Sequence, residues 1–352
     1  MIISNMHKVL VIGSASIHVK NHVSRIRRCC SSLTVVTNRA EFTSEADQHL
    51  VINLQLRNPF KLMRAVLRLK QLYAQLRPDV IHVHQANAVA FIALLALGSS
   101  PIPVVLTLWG SDVLLLPQTN VLMKAMVRYN LRKADVITAD AHFLAEAAMR
   151  LVDDVKLNIK VCNFGVLPIE FQCAKQPLIY SNRAHEPLYR IDKIIKCFAD
   201  FKANGKHAEW VLIIAGRGSS TPALQALVAE LNLVDAVQFV GFVDAKTNQH
   251  YCAKSILFAS LPESDATSIS LLEALYHGCV PVVSDLPANR EWVIDNRTGI
   301  VTGDFKSDPF SRALELDLQA AAHENRSLAR QKATAEVASD AFCSVFDELT
   351  SS

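Results

Sequence analysis

Residues 255–285 read SILFASLPESDATSISLLEALYHGCVPVVSD. Ile256 to Ala259 is a short apolar run, the signature of a buried strand. A polar turn follows with Pro262, Glu263, Ser264 and Asp265. From Thr267 the pattern turns helical, with Ile269, Leu272 and Leu275 at three-residue spacing on one face. Gly278 is the stop signal for that helix. Val280 to Val283, interrupted only by Pro281, is a second buried strand. Strand, loop, helix and strand in this order form the repeating unit of a parallel sheet.

The chemistry of this stretch gathers at the front of the helix. The first backbone N–H groups, near Thr267, Ser268 and Ile269, have no partner inside a helix, and the dipole is positive there. Such an end accepts an anion. Asp265 lies just before the helix, and Glu273 lies about two turns along it. One carboxylate can therefore meet one part of a ligand while the second meets another. An anion carrying several hydroxyls describes a sugar nucleotide.

An acid, seven residues, Glu273, Ala274, and then Gly-Cys-Val-Pro-Val-Val-Ser resembles the E-x7-E block of the retaining glycosyltransferases of family 4, which have the GT-B fold. Asp265 stands where that family has its first glutamate. Ala266, Thr267 and Ser268 stand where Gly-Phe-Gly is usual. The resemblance implies an α/β protein of two Rossmann-like domains, each with a parallel sheet, facing across a cleft. It implies that Glu273 binds the nucleotide ribose, that Asp265 touches the donor sugar, and that amides near Ser268 and Ile269 hold the diphosphate.

Composition fits that architecture. At 352 residues the chain is too long for one ordinary core. It is 51% hydrophobic and 20% charged, and therefore globular rather than disordered. The eight cysteines form no C-x-x-C pair and no metal-ligand spacing, which favours free thiols in a reducing compartment. The first six residues lack a signal-peptide core. The uncharged run from Gln85 to Ser111 is cut by Gly98-Ser99-Ser100-Pro101-Ile102-Pro103, so it reads as a helix and a strand rather than a membrane span. Residues 1–166 carry 19 Lys and Arg against 10 Asp and Glu, whereas residues 167–352 carry 17 against 23. A basic first half and an acidic second half point the first half toward an anionic surface.

In the first half, Lys8 to Gly13 is an opening strand, followed by a polar loop that reaches His18. No G-x-G-x-x-G follows, which disfavours a nicotinamide oxidoreductase. In the family this loop lies near the donor diphosphate, so Gly13 is a donor-side candidate and His18 an acceptor-side one. Leu33 to Thr37 is the second strand. Pro59 to Leu76 is an amphipathic helix with Leu62, Val66, Leu69, Tyr73 and Leu76 on its apolar stripe. Arg57, Lys61, Arg64 and Arg68 form a second stripe, and Lys124, Arg128 and Arg132 form another basic row. A cationic face beside an apolar one suits anionic headgroups. Asp79 to Val83 is a strand, and His82 and His84 project to one side of it. This pair has no carboxylate or cysteine close by in sequence, so no metal site is assigned. His84 instead matches the acceptor side in the family. After the strand Val104 to Leu108 comes Trp109-Gly110-Ser111-Asp112, where many family members have His-Gly. Trp109 can stack on a sugar face, and Asp112 joins it as an acceptor candidate. Asp135 to Thr138 and Lys160 to Val166 complete the first domain.

The expected divisions are 1–166 for the acceptor domain, 167–176 for a linker, 177–335 for the nucleotide-sugar domain, and 336–352 for a last helix packing back toward the first domain. After the strand Pro177 to Ser181, Arg183 matches the family arginine that clamps the diphosphate. The family lysine is absent; Tyr189 stands near its place, and Arg190 is the candidate second cation. Trp210 to Ala215 is an apolar strand ending in Gly216-Arg217-Gly218, a match to the family's Gly-x-Gly turn. Val237 to Val240 with Gly241-Phe242 matches the segment that meets the base. Catalysis is thus expected from Arg183 and Asp265. Donor binding is expected from Gly13, Arg183, Arg190, Gly216, Phe242, Thr267, Ser268, Ile269 and Glu273.

The function implied is transfer of a hexose, with retention, from a UDP- or GDP-sugar to a glycan or lipid-linked acceptor in bacterial surface polysaccharide, lipopolysaccharide or glycoconjugate assembly. No cofactor is implied, and no metal, since there is no D-x-D motif. No nucleic-acid partner is implied. The implied place is cytoplasmic, peripheral at the inner face of the membrane. Two other readings share the fold: a sugar-nucleotide epimerase, which needs no acceptor, and a non-catalytic partner subunit, which the Asp265 and lysine departures would suit.

Overall fold

The computed structural model describes residues 6–351 except 43, 57, 204, 206, 306 and 307. Arg57 of the basic stripe and most of the amino-terminal segment read above lie outside the described residues. The chain divides into two compact units, Met1–Phe164 with Ala335–Ser352, and Gly165–Thr334.

The first unit is built on a parallel sheet of seven strands: β1 (His7–Ile12), β2 (Cys30–Thr37), β3 (Gln48–Val51), β4 (Val80–His84), β5 (Val104–Thr107), β6 (Val136–Ala139) and β7 (Ile159–Val161). Their order is β3-β2-β1-β4-β5-β6-β7. The second unit has six parallel strands: β8 (Gln176–Ser181), β9 (Val211–Ala215), β10 (Val237–Gly241), β11 (Ser255–Ser260), β12 (Val280–Ser284) and β13 (Ile300–Thr302). Their order, β10-β9-β8-β11-β12-β13, repeats the same winding. Both are doubly wound sheets, and each reverses strand order once, between β1 and β4 and between β8 and β11. Ligands of such sheets bind outside the carboxyl ends of the strands at that reversal.

Helices cover both faces of each sheet, so the central strands are near-continuous apolar runs. In β4 all five residues are buried, His82 and His84 included. The helix Pro59–Leu76 starts where the sequence places it. Asn58 caps the N–H groups of Phe60 and Lys61, and Pro59 occupies a first-turn position where no N–H is needed. Its buried face is Ala65, Leu69, Leu72 and Tyr73, a stripe rotated from the expected one. Phe60, Met63 and Leu67 point to solvent, exposed by 79%, 58% and 54%. In the second unit the expected helix begins at Ile269, two residues later than the pattern indicates, and runs to Tyr276. Leu271, Leu272, Ala274, Leu275 and Tyr276 are its buried residues, while Ile269 is half-buried. The reason is that this helix is covered on two sides, by its own sheet and by the helix Leu318–Lys332.

The last helix, Ala335–Thr350, belongs to the first unit. It packs on the helix Ile17–Ile26, and its Phe342, Val345 and Phe346 enter that unit's core. Cys343 on this helix is disulfide-bonded to Cys29, with Cα atoms 5.9 Å apart. This corrects the expectation of eight free thiols. A separation of 314 residues hides the pair from any local spacing rule. Cys30, Cys162, Cys173, Cys197, Cys252 and Cys279 are free. No helix among the described residues is long and apolar enough to cross a membrane.

Candidate functional site

In the second unit, β8 ends at Ser181 and delivers Arg183 to the strand-order reversal. Its neighbour β11 ends at Ser260 and delivers the turn that carries Asp265. The two meet: Arg183 Nη2 lies 2.7 Å from Asp265 Oδ2. Arg183 Nη1 donates to Ser268 Oγ, and the Tyr189 ring lies 4.5 Å from the guanidinium carbon. The guanidinium is held by a carboxylate, a hydroxyl and a ring face. Ser268 stands at the N-cap position of the helix Ile269–Tyr276 without capping it; its oxygen accepts from Arg183. The first-turn N–H groups therefore receive no side-chain cap and remain donors for a ligand. Thr267 Oγ1 accepts from the Trp292 indole at 3.3 Å, which fixes the turn just before the helix.

Two glycines let the neighbouring loop close on this cation. Gly216, at the end of β9, has φ +121°, and a Cβ there would come within 2.5 Å of the Arg183 carbonyl oxygen. A Cβ on Gly218 would meet the His185 carbonyl oxygen at 2.4 Å. Glu186 ties the two segments together, accepting from Ser219 N at 2.9 Å and Ser219 Oγ at 2.5 Å. Phe242, just beyond β10, is 77% exposed.

Glu273 points to a polar interior. Asn248 Nδ2 donates to its Oε2 at 2.7 Å, while Asn248 Oδ1 accepts from Tyr180 Oη and Asn182 Nδ2, each at 2.7 Å. Burial pushes the Glu273 carboxyl up to about 7, against the lowering effect of hydrogen bonds from Asn248 and Gln249. Arg190 is turned elsewhere. Its Nε donates to the Leu261 carbonyl at 2.9 Å and its Nη2 to the Pro262 carbonyl at 2.7 Å, with Phe305 against its face at 5.0 Å. It pins the turn that carries Asp265 and is not brought together with Arg183 around one ligand.

In the first unit, Gly13 follows β1, where a Cβ would strike Val19 Cγ2 at 2.8 Å. Ser16 caps the helix Ile17–Ile26, accepting from Val19 N. His18, in that helix's first turn, is exposed, and its ring lies 5.0 Å from the half-buried Trp109. The other two acceptor candidates are buried behind them. Asp112 accepts from the Ala86 N–H at 2.7 Å and the Trp109 N–H at 3.1 Å. Burial raises its pKa, and those N–H groups oppose the shift. His84 Nδ1 faces the Trp109 indole nitrogen at 3.3 Å. Burial, then the charge of His18, lowers its pKa to about 3. His18 and Trp109 can touch a ligand, whereas His84 and Asp112 position Trp109.

The family comparisons agree with this division. Residues 8–141 match the model of the "Glycosyl transferase 4-like" domain, and residues 164–334 match that of "Glycosyl transferases group 1". The chain belongs to the group 1 glycosyltransferases. Among curated proteins, this glycosyltransferase is similar to N-acetyl-alpha-D-glucosaminyl L-malate synthase of Bacillus anthracis, 26% identical over 219 residues. That match covers 58% of this chain and only 56% of the relative. Among solved structures it is similar to sucrose-phosphate synthase of Thermosynechococcus elongatus, with a TM-score of 0.80, 13% identity, and 98% and 99% of the two chains covered. It is also similar to Anabaena HepE in complex with UDP-glucose, with a TM-score of 0.76, 16% identity, and 97% and 100% covered. These likenesses bear on the GT-B fold.

Some residues of the glycosyltransferase's site carry no sequence signal. Asn248 lies in the helix Ala245–Lys254, 25 residues before the carboxylate it holds. Tyr189, which in sequence only stands near an absent lysine, stacks on the Arg183 guanidinium. His22, from the helix Ile17–Ile26, has its ring 4.4 Å from His82 and 4.5 Å from His84. Nothing in the spacing of the His82–His84 pair announces this third imidazole.

Proposed function

We propose that this glycosyltransferase moves a hexosyl unit, with retention, from a UDP- or GDP-sugar to a glycan acceptor, lipid-linked, in the assembly of a bacterial surface polysaccharide or glycoconjugate. The observation that carries the proposal is the Arg183 guanidinium fixed between Asp265 and Ser268 at an uncapped helix start. Breaking the anomeric C–O bond leaves charge on the departing diphosphate, and positioned cations and N–H dipoles stabilise that charge. In this reading Arg183 and the amides at Ser268 and Ile269 take the diphosphate, and Gly13 is also assigned to the donor. Asp265 takes a donor-sugar hydroxyl, Glu273 the ribose, and Gly216 and Phe242 the base side. The acceptor hydroxyl rests near His18 and Trp109 and attacks the anomeric carbon on the face the leaving group departs from. Its proton passes to the leaving phosphate oxygen. The step calls on no metal at the diphosphate. A panel of nucleotide sugars should contain one that raises the melting temperature; ligand at 100 times its Kd adds about 2.7 kcal/mol. Supplying acceptor should then release the nucleoside diphosphate. Indifference to every UDP- and GDP-sugar would remove the reading, and turnover of donor alone would favour the epimerase.

We place the enzyme in the cytoplasm, at the inner face of the membrane. Support comes from the exposed Phe60, Met63 and Leu67, interleaved with the exposed Lys61, Arg64 and Arg68 on one helix. Val121 and Leu122, exposed by 82% and 76%, begin the helix that carries Lys124. Arg128 and Arg132 of that row are paired instead with Asp153 and Asp154. Apolar tips among cations seat in an anionic headgroup layer. Binding to vesicles rich in phosphatidylglycerol should weaken as salt screens the surface, and Phe60→Ser with Met63→Ser should lower it at least tenfold. A protein that ignores such vesicles at low salt has no docking face here.

A further inference from the structure

We infer that His22, His82 and His84 form a binding site for one divalent transition-metal ion, Zn²⁺ foremost, buried in the first unit and separate from the residues assigned to the donor. The three side chains are exposed by 1%, 0% and 0%. One ring nitrogen from each can be chosen so that all three lie within 4.8 Å of one another. Alternation along β4 sends His82 and His84 to the same side of the strand, and His22 comes edge-on to both from the helix Ile17–Ile26. Two histidines at i and i+2 of a strand plus a third from a facing element supply three imidazoles from a rigid frame.

The distances are close to those a metal needs. His22 Nε2 and His82 Nδ1 are 3.0 Å apart, a hydrogen bond that the ion would replace as the His22 proton moves to Nδ1. Two imidazole nitrogens sharing a tetrahedral Zn²⁺ at about 2.0–2.1 Å stand roughly 3.3 Å from each other. That pair opens by a few tenths of an ångström, and His84 moves in to complete the set. His82 is already oriented from outside: its Nε2 meets Thr107 Oγ1 at 2.6 Å, and Thr107 Oγ1 meets Thr138 Oγ1 at 2.6 Å. A proton on Nε2 leaves the Nδ1 lone pair facing His22, the kind of outer contact that fixes the tautomer of a ligating histidine. Three neutral imidazoles suit Zn²⁺ over Mg²⁺ or Ca²⁺, which take oxygen ligands. A water fills the fourth position, since no carboxylate or thiolate joins the group among the described residues.

A second observation points the same way. His84 Nε2 is buried without any hydrogen-bond partner, and an orphaned buried polar atom costs about 1–3 kcal/mol. With Nδ1 of His84 accepting from the Trp109 indole, the His84 proton must sit on the orphaned Nε2. A cation that takes Nε2 moves that proton to Nδ1, where it opposes the indole N–H. Metal binding therefore swings Trp109 off His84, and the ion would set the position of the ring assigned to the acceptor.

The test uses the full-length chain without a histidine tag, treated with chelator and then dialysed. Titration with Co²⁺ should give the visible bands of a tetrahedral nitrogen site and saturate at one equivalent, and Zn²⁺ should displace it. Tryptophan fluorescence should change in step. His22→Gln and His84→Gln should each weaken Zn²⁺ binding at least 100-fold, while Trp109→Phe should keep the stoichiometry and remove most of the fluorescence change. A wild-type protein giving no such Co²⁺ spectrum would overturn the site whatever the variants do. So would unaltered affinity in folded His22→Gln and His84→Gln, which would assign the metal to surface groups. Donor binding by the second unit is a separate measurement and can succeed or fail independently.

Discussion

Replacing Arg183 with alanine should lower glycosyl transfer by about 10²–10³-fold, the loss typical of removing one positioned stabiliser of a developing anion. The fold should survive. The variant leaves Asp265 without its ion pair, but that side chain is 21% exposed and water can reach it. Arg183→Lys separates charge from shape. Lysine keeps the cation but loses the planar fork that reaches Asp265 and Ser268 together. Its rate should fall between wild type and alanine. The measurement is kcat with a saturating donor, beside a thermal melt of each variant. Wild-type turnover in a folded Arg183→Ala protein would remove Arg183 from the catalytic site and with it the proposed site of the leaving group.

Glu273→Gln should weaken donor binding by about 10–100-fold, since hydrogen bonds to a charged group contribute roughly 1.5–3 kcal/mol. The same substitution should stabilise the free protein at high pH. The carboxyl titrates near 7 in the fold and near 4.5 when unfolded. A carboxyl pKa raised by folding favours the folded state below the unfolded value, and that advantage is lost as pH rises from about 4.5 through 7. By pH 8 the wild type carries an ionised, largely desolvated carboxylate, a penalty of about 3 kcal/mol at 1.36 kcal/mol per pH unit. Glutamine has no such charge. The two proteins should therefore melt alike near pH 4.5 and diverge up to pH 8, with the glutamine form the more stable. Donor affinity in the wild type should strengthen across the same interval, as the ionised acceptor for the ribose becomes populated. Melting curves that stay parallel from pH 4.5 to 8 would show that Glu273 is not held near neutrality.

The alternation of strand and helix was legible because each central strand is an unbroken apolar run and many of the stops are glycines. Pro59–Leu76 was readable from the spacing of its apolar residues, and the structure gives it the same bounds. The edge strand Gln48–Val51 was not, since no residue in it is fully buried and it opens on the polar Gln48-His49. The missing cap at Ser268 was not legible either, since its hydroxyl is engaged by Arg183, 85 residues away. The acid pair in the second unit was visible as a motif, but Asn248, which holds one of the acids, was not. In the first unit the sequence offered four acceptor residues on equal terms. Burial then separated His18 and Trp109, which face outward, from His84 and Asp112, which lie beneath.

The first unit is completed by residues 335–352, after the whole of the second has been written. On a ribosome adding roughly 5–20 residues per second, its closing helix arrives on the order of ten to thirty seconds after Phe164. Throughout that interval the apolar seat of Phe342 and Phe346 is uncovered, and Cys29 waits without its mate. The second unit is contiguous and can condense during translation, whereas the first stays open until residues 335–352 have been made. A nascent chain of this enzyme is therefore most in need of a holding chaperone at its oldest part, not its newest.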